Sequence, residues 1–331
     1  MLPDSSVRWE DDAVDAARRP GPGRKATQCG TRRGWTAFVL VGLLLAGCSS
    51  GAASTTTVTR PSGPTRPLSQ TGVAHWHQVG SYDQSSLHAS EGLATVDPPG
   101  GASYLLYRGI ASVPADLSAQ GWVHIGDPDS MDGTVIDAFQ GQHATSPKMY
   151  LATTPSGATL QYTHSLVPGE EYNNSFDTIA PGGQWMVSGE WDTMSHLQVY
   201  PTPYLNHRTP AQGGPLSLAG YIQLDHRVGY VQGCDFTSTT TLVCVSDDSS
   251  RTLFANPKPL LEVVLPHALD GTSVKGHVVD LGSVPEESTC PGTFESEGDD
   301  YDVATGTLRV EIIQPGSCIL HTTVYEYTRA G

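Results

Sequence analysis

Short apolar or alternating runs recur along this chain from about His75 onward, and hardly any is long enough for a helix. Tyr104–Tyr107, Thr134–Phe139, Met149–Ala152, Thr159–Thr163, Gln184–Ser188 and His196–Tyr200 come first. Tyr221–Leu224, Thr241–Ser246, Leu260–Leu265, His277–Leu281, Thr307–Ile313 and Leu320–Tyr327 continue the series. Turn formers separate the runs, among them Pro98-Pro99-Gly100-Gly101, Pro155-Ser156-Gly157, Pro181-Gly182-Gly183, Asp270-Gly271 and Ala304-Thr305-Gly306. Side chains that alternate between two faces, bounded by residues that reverse the chain, predict an all-β protein. Proline and glycine fall mostly in the gaps, where no ladder hydrogen bond is lost.

One segment breaks this pattern. Arg32 and Arg33 precede the nearly uncharged apolar run Trp35–Ala46, which is too short to span a bilayer and of the right length for the core of an export signal. Ser49 to Gln70 then has almost nothing apolar to pack, as suits a flexible tether. The run ends in Leu45-Ala46-Gly47-Cys48, which resembles the bacterial lipoprotein signal. That resemblance implies lipidation of Cys48, which becomes the first mature residue, and anchoring at the outer face of the cell membrane by lipid chains. The expected division is a signal over residues 1–47, a tether over 48–73 and a folded domain over 74–331.

Removing the leader sharpens the charge. The whole chain carries 18 basic and 34 acidic residues, and seven of the former but five of the latter precede Cys48. The mature chain is therefore strongly acidic and has no Lys/Arg cluster, which excludes nucleic acid as a partner. Four cysteines remain: Cys234, Cys244, Cys290 and Cys318. An even number in an exported domain predicts disulfides. Of three pairings, Cys234–Cys244 and Cys290–Cys318 are favoured because each brackets one hairpin-like segment; the spacings fit a Cys₄ zinc site poorly.

A faint repeat bears on architecture. Thr95-Val96-Asp97-Pro98, glycines and Tyr104-Leu105-Leu106 are echoed by Thr178-Ile179-Ala180-Pro181, Gly182-Gly183 and Trp185-Met186-Val187, with a looser copy at Asp302–Val310. The offset between the first two is about twice the roughly 40–45 residues of one four-stranded propeller blade. The arrangement resembles the exported bacterial β-propellers, several families of which are lipid-anchored. The resemblance implies a β-propeller over residues 74–331, of six blades by length, with five or seven if blades are short or carry insertions. Ala74–Val79 then pairs near Thr322–Tyr327 to close the ring. The rival is a pair of β-sandwiches divided near Pro210.

Candidate chemistry is sparse. His75 and His77, two apart, share a strand face, and Asp127 and Asp129 have the same spacing in an expected loop; both pairs are candidate ligands for calcium or another divalent cation. The run Glu295, Glu297, Asp299, Asp300, Asp302 reads as an exposed acidic loop. Trp122, Trp191 and Tyr204 are candidates for a rim that grips an extracellular protein or a cell-wall glycan, while Trp185 reads as core. Ser188, near Asp192 and His196, reads as a strand end rather than a nucleophile, and no nucleophile elbow, P-loop or His-Glu-x-x-His occurs. The expected function is ligand binding or scaffolding outside the membrane. The alternative is a metal-dependent hydrolase or lactonase of the propeller type, which demands His, Asp or Glu side chains from at least three blades.

Overall fold

The computed structural model describes residues 73–330. Strand β1 (Trp76–Ser85) is followed by the hairpin β2 (Gly92–Val96) and β3 (Tyr104–Arg108), then a single-turn helix, α1 (Ala115–Ser118). Next come β4 (Trp122–Ile125), β5 (Asp129–Met131), β6 (Thr134–Gly141), β7 (Lys148–Thr153) and β8 (Thr159–His164). The chain continues with β9 (Phe176–Ile179), β10 (Trp185–Gly189), β11 (Met194–Pro201), the short β12 (Gly214–Pro215) and β13 (Gly220–Val228). The last strands are β14 (Val231–Ser238), β15 (Thr241–Ser246), β16 (Pro259–Val264), β17 (Val274–Ser283), β18 (Glu295–Asp302), β19 (Thr307–Ile313) and β20 (His321–Arg329). Among the described residues no helix is long and apolar enough to cross a membrane.

All but two strand pairings are antiparallel, as short meander connections require. The sheets read β4/β5-β6-β7-β8-β12, then β9-β10-β11-β13, β14-β15-β16-β17 and β18-β19-β20-β1, with β2-β3 as a separate hairpin. A short parallel seam between β13 and β17 fuses two of these groups into one eight-stranded sheet, whose end strands β9 and β14 are again neighbours. The first strand of each group packs beside the first strand of the next, in the cyclic order β2, β5, β9, β14, β18 and back to β2. The architecture is all-β and propeller-like. A division into two sandwiches near Pro210 is not what the pairing gives, since β12 pairs back onto β8 while β13 joins β11 to β17.

Apolar faces explain why the sheets stack. One core fills the space between the third and fourth groups with Phe176, Val187, Leu197, Ile222, Phe236 and Leu261. Another, with Val243, Leu260, Leu308, Val310 and Tyr325, lies between the fourth and fifth. A third, with Ile136, Tyr150, Tyr162, Met186 and Tyr200, joins the second group to the third. Each buried aromatic or aliphatic side chain contributes about 1.5–3 kcal/mol relative to exposure.

The ring closes through its ends. β1 pairs antiparallel with β20 from Trp76↔Arg329 to Ser85↔His321, longer than the predicted Ala74–Val79 pairing. The two expected disulfides are both present. Cys234 and Cys244 sit directly opposite each other on β14 and β15, and Cys290 and Cys318 join the segment before β18 to the turn before β20.

Candidate functional site: an acidic axis and its mouth

The inner strands carry the chemistry, and their glycines set its geometry. A Cβ on Gly92 of β2, Gly233 of β14 or Gly298 of β18 would collide with the carboxyl group of Asp127. Three strands thus present bare backbone to one side chain, which fills the axis of the ring. Asp127 is fully buried, and its carboxylate accepts hydrogen bonds from the backbone N–H of Leu93 at 3.0 Å and of Asp299 at 3.4 Å. Its backbone makes a parallel bridge to Phe176, so it is not in the expected loop. Burial first, and Asp299 second, push its carboxyl well above the usual carboxylate range.

Below this plug, carboxylates fasten neighbouring strands. Asp129 on β5 accepts from Ile179 N–H of β9 at 2.5 Å, Asp235 on β14 from Tyr301 N–H of β18 at 2.6 Å, and Asp300 on β18 from Thr95 N–H of β2 at 2.6 Å. An inner strand has no outer ladder partner on its axial edge, so these side chains supply the acceptors its N–H groups would lack. Arg309 holds Asp300 from the other side at 2.8 Å, and Arg108 clamps Asp137 with Nε and a terminal nitrogen at 2.5 and 2.9 Å. Burial lifts Asp129 to about 7.

Three further acids are buried without such partners. Both carboxylate oxygens of Asp177, Asp299 and Glu311 lack a hydrogen-bond partner, and each of these residues is at most 2 % exposed. An isolated buried charge is so costly that such groups take up a proton instead. Burial accordingly pushes all three well above the usual range, with Asp129, Asp300 and Glu91 the leading charged neighbours of Asp177, Asp299 and Glu311 respectively.

At the end of the axis where the inner strands begin, the acids become accessible. Glu91 immediately precedes β2, His124 lies on β4, and Glu295 and Glu297 open β18. His124 Nε2 meets Glu91 Oε2 at 2.9 Å; 46 % of the His124 side chain is open to solvent, against 11 % for Glu91. Glu295 is exposed and Glu297 is 6 % exposed, so accessibility falls from the rim inward. Burial lowers the His124 pKa, but its bond to Glu91 and the charges of Glu91 and Glu295 outweigh this and hold it above the ordinary value. Burial, then Glu91, raises Glu295; burial, then Glu295, Glu91 and Glu311, raises Glu297 well above its normal range. Lys258, wholly buried, is lowered to about 8 by burial and is held by Asp247 and Ser249.

The predicted residues are distributed unevenly over this plan. The acidic run 295–302 is not an exposed loop but strand β18, mostly buried at the centre of the ring. His75 and His77 are exposed at the start of β1, three strands out from β18 in their sheet, or about 14 Å by strand spacing. The structure therefore does not bring them to Asp127 and Asp129, whose own carboxylates point to different strands. Among the described residues no three His, Cys, Asp or Glu side chains are placed to hold one metal ion. Trp122 is 8 % exposed and packs with Leu117, Phe139 and Met149, so it is core rather than rim. Trp191 is 42 % exposed, stacked edge-on against Tyr230 at 4.8 Å, next to Asp192 and beyond the end of β10 on the same face as the mouth. Tyr204 is 44 % exposed beyond the end of β11, on the opposite face. Ser188 donates to Asn174 at 2.9 Å and forms no triad, while Trp185 is buried as expected. Cys48 lies outside the described residues.

Glu91 and His124 were not singled out from the sequence, being 33 positions apart and joined only by ring topology. No protein-family model matches the chain, and no curated protein matches it. Solved structures do align with it. The major allergen Mala s 1 of Malassezia sympodialis aligns at TM-score 0.39 and 9 % identity, over 68 % of this chain and 62 % of that one. A gluconolactonase of Xanthomonas campestris aligns at TM-score 0.34 and 11 % identity, over 62 % and 57 %. The β-propeller domain of a protease from Pyrococcus furiosus aligns at TM-score 0.30 and 10 % identity, over 59 % and 56 %. The chain spans about three fifths of the length of these solved chains. At such scores the fold rests on the chain's own strand pairing.

Proposed function

We propose that this chain is an exported β-propeller protein, anchored through lipid on Cys48 at the outer face of the bacterial cell membrane, that binds a ligand at the axial mouth. The blade count in this reading is five, one fewer than length favoured, because the β2-β3 hairpin serves as an abbreviated first blade. The observation that carries the binding reading is the contact of His124 with Glu91, from two separate segments, at the end of the ring where Glu295 and Glu297 open β18. Trp191, exposed on the same face, extends the surface on which a glycan or protein could rest. Mapping amide shifts of the full chain against a panel of envelope glycans and small metabolites tests the reading; ligands that perturb only residues away from Glu91, His124 and Glu295 would sink it. Recovery of lipid on a peptide beginning at Cys48, and its loss in Cys48→Ala, tests the anchor.

A hydrolytic reading is favoured by the same His124–Glu91 contact. A carboxylate and an imidazolium in contact supply a base for water and an acid for a leaving alkoxide. The metal-dependent form fits less well, since no three donor side chains stand together among the described residues. Assay of simple lactones and esters with wild type, Glu91→Gln and His124→Gln decides it: turnover lost in both variants supports hydrolysis, and no turnover in any of them removes it.

A further inference from the structure

We infer that a cavity at the end of the ring away from the mouth binds a small organic carboxylate with an apolar body. It lies where β10 begins and β11 finishes, beside the crossover from β12 to β13, and has a volume of about 160 Å³. Trp185, Pro201, Leu216 and Leu218 supply apolar wall, and Arg208 is the one charged residue that lines it among the described residues.

Its walls are fixed by backbone. The segment after β11 is folded on itself: Asn206 Nδ2 donates to Gln184 O at 2.5 Å, Thr209 N–H to Asn206 O at 2.9 Å and the Tyr162 hydroxyl to Pro210 O at 2.8 Å. The crossover is hung from two sheets, with Leu216 N–H donating to Thr163 O of β8 and Ala219 N–H to Val199 O of β11, each at 2.8 Å. The Trp185 indole is backed by the turn before β17, where a Cβ on Gly271 would meet it. A space held open in this way is filled without the cost of ordering its walls.

Arg208 sets the selectivity. Its Cζ stands 5.1 Å from the centroid of the Trp185 ring. Stacking of this kind uses the face of a guanidinium and leaves its in-plane N–H donors unused. Arg208 anchors itself through its backbone N–H, on Asn206 Oδ1 at 2.9 Å. Among the described residues its guanidinium has neither a hydrogen-bond acceptor nor a carboxylate partner, in a chain with 34 acidic and 18 basic residues. Asp270, beside Gly271, is taken up by Thr272, whose N–H and hydroxyl both donate to it.

These features select one ligand chemistry. A fork of coplanar donors matches the two oxygens of a carboxylate. One positive charge offsets one negative charge, whereas a phosphate dianion brings a second that no other cation lining the cavity would meet. The apolar walls take the remainder: an apolar cavity of about 150 Å³ holds a benzene ring, so this one suits a body of that size.

The test titrates the full chain with sodium benzoate, its neutral isostere benzamide and sodium phosphate, following the Trp185 indole N–H, the Arg208 side-chain N–H and the Leu218 amide by NMR. Benzoate should give saturable shifts at all three, and benzamide should bind about tenfold to a hundredfold more weakly. Arg208→Gln should bring benzoate down to the level of benzamide; the residue is exposed, and an unchanged melting temperature checks the fold. Arg208→Lys keeps the charge without the fork and should fall between. No response to benzoate, equal binding of benzoate and benzamide, saturation by phosphate alone, undiminished benzoate binding in Arg208→Gln, or benzoate shifts confined to Glu91 and His124 would each overturn the inference. The mouth shares no residue with this cavity, so the two readings stand or fall separately.

Discussion

The plug and the mouth are built from the same side chains on the same strands, yet they behave in opposite ways. Asp127 lies in a bed of backbone: three glycines give it room and two N–H groups bind it. Glu91, Glu295, Glu297 and Glu311 stand a few residues away with one imidazole among them, and Glu311 has no hydrogen-bond partner at all. A buried carboxyl that is met by amide donors behaves as a fastener. Burial raises the pKa of both kinds; the unmet one differs in having no donor at hydrogen-bond distance. Acidity alone therefore does not mark a site in this ring; what matters is whether the backbone has already used the charge.

Four experiments would break or sharpen that contrast. The largest effect is expected at the plug. Gly298→Ala puts a methyl into the Asp127 carboxyl and onto the Gly92 backbone at 2.6 Å, where neither the strand nor the plug can retreat. Overpacking of this kind should cost about 3 kcal/mol or more in urea unfolding, and adding Asp127→Ala should recover part of the loss. Full stability in the single variant would mean that the axis is not tightly filled.

The unmet acids should respond in the opposite sense. Glu311→Gln keeps the shape while removing the charge problem, and a gain of about 1–2 kcal/mol in unfolding free energy at pH 7.5 is expected. A loss instead would show that Glu311 has a donor in solution and belongs with the fasteners.

The pH dependence of stability comes third. Asp129 is raised to about 7 in the fold, and Asp177 and Glu297 are raised well above their ordinary values. Folded groups that hold protons more tightly than the unfolded chain stabilise fully below the unfolded pKa, and this contribution is lost as pH rises through the folded value. For Asp129 the loss runs from about pH 4 to about 7. The melting temperature should thus be a few degrees higher at pH 5 than at pH 7.5, and Asp177→Asn should flatten the profile. A melting curve that improves steadily from pH 5 to 7.5 would contradict the assignment.

Smallest is the effect of His124 on the mouth. Its pKa lies above the ordinary histidine value because the bond to Glu91 and the charges of Glu91 and Glu295 outweigh burial. The His124 ring shifts should titrate above the free imidazole in wild type and move back towards it in Glu91→Gln, and an unchanged midpoint in the variant would break the pairing. Glu91 and Glu295 face the group, and repeating the titration in Glu295→Gln separates their two parts.

How far the sequence led can be judged strand by strand. Every apolar run named from His75 onward lies at least mostly on a strand, and most of those strands are outer members of their sheets. There one face meets apolar neighbours and the alternation is legible. The inner strands were harder. Gly233-Cys234-Asp235 and Gly298-Asp299-Asp300 have the composition of turns, and the second was read as an exposed loop. Yet glycine is required where five strands crowd one axis, and aspartate where an inner edge must cap its neighbour's N–H groups. The same residue types that mark a reversal elsewhere therefore mark the centre here. Repeated hairpins and the two disulfides were visible because they are local in sequence. The mouth was not, because Glu91, His124 and Glu295 meet only after the ring has closed.

That closure has a mechanical consequence. β1 is both the first strand of the fold and the outermost strand of the last sheet, and its Trp76 end is paired with Arg329 near the end of β20. Tension applied to the chain ahead of Trp76 enters at that end and peels β1 from β20 one residue pair after another, rather than shearing the whole ladder at once. The weakest point under load is then the clasp itself, and the ring would open at the β1–β20 seam.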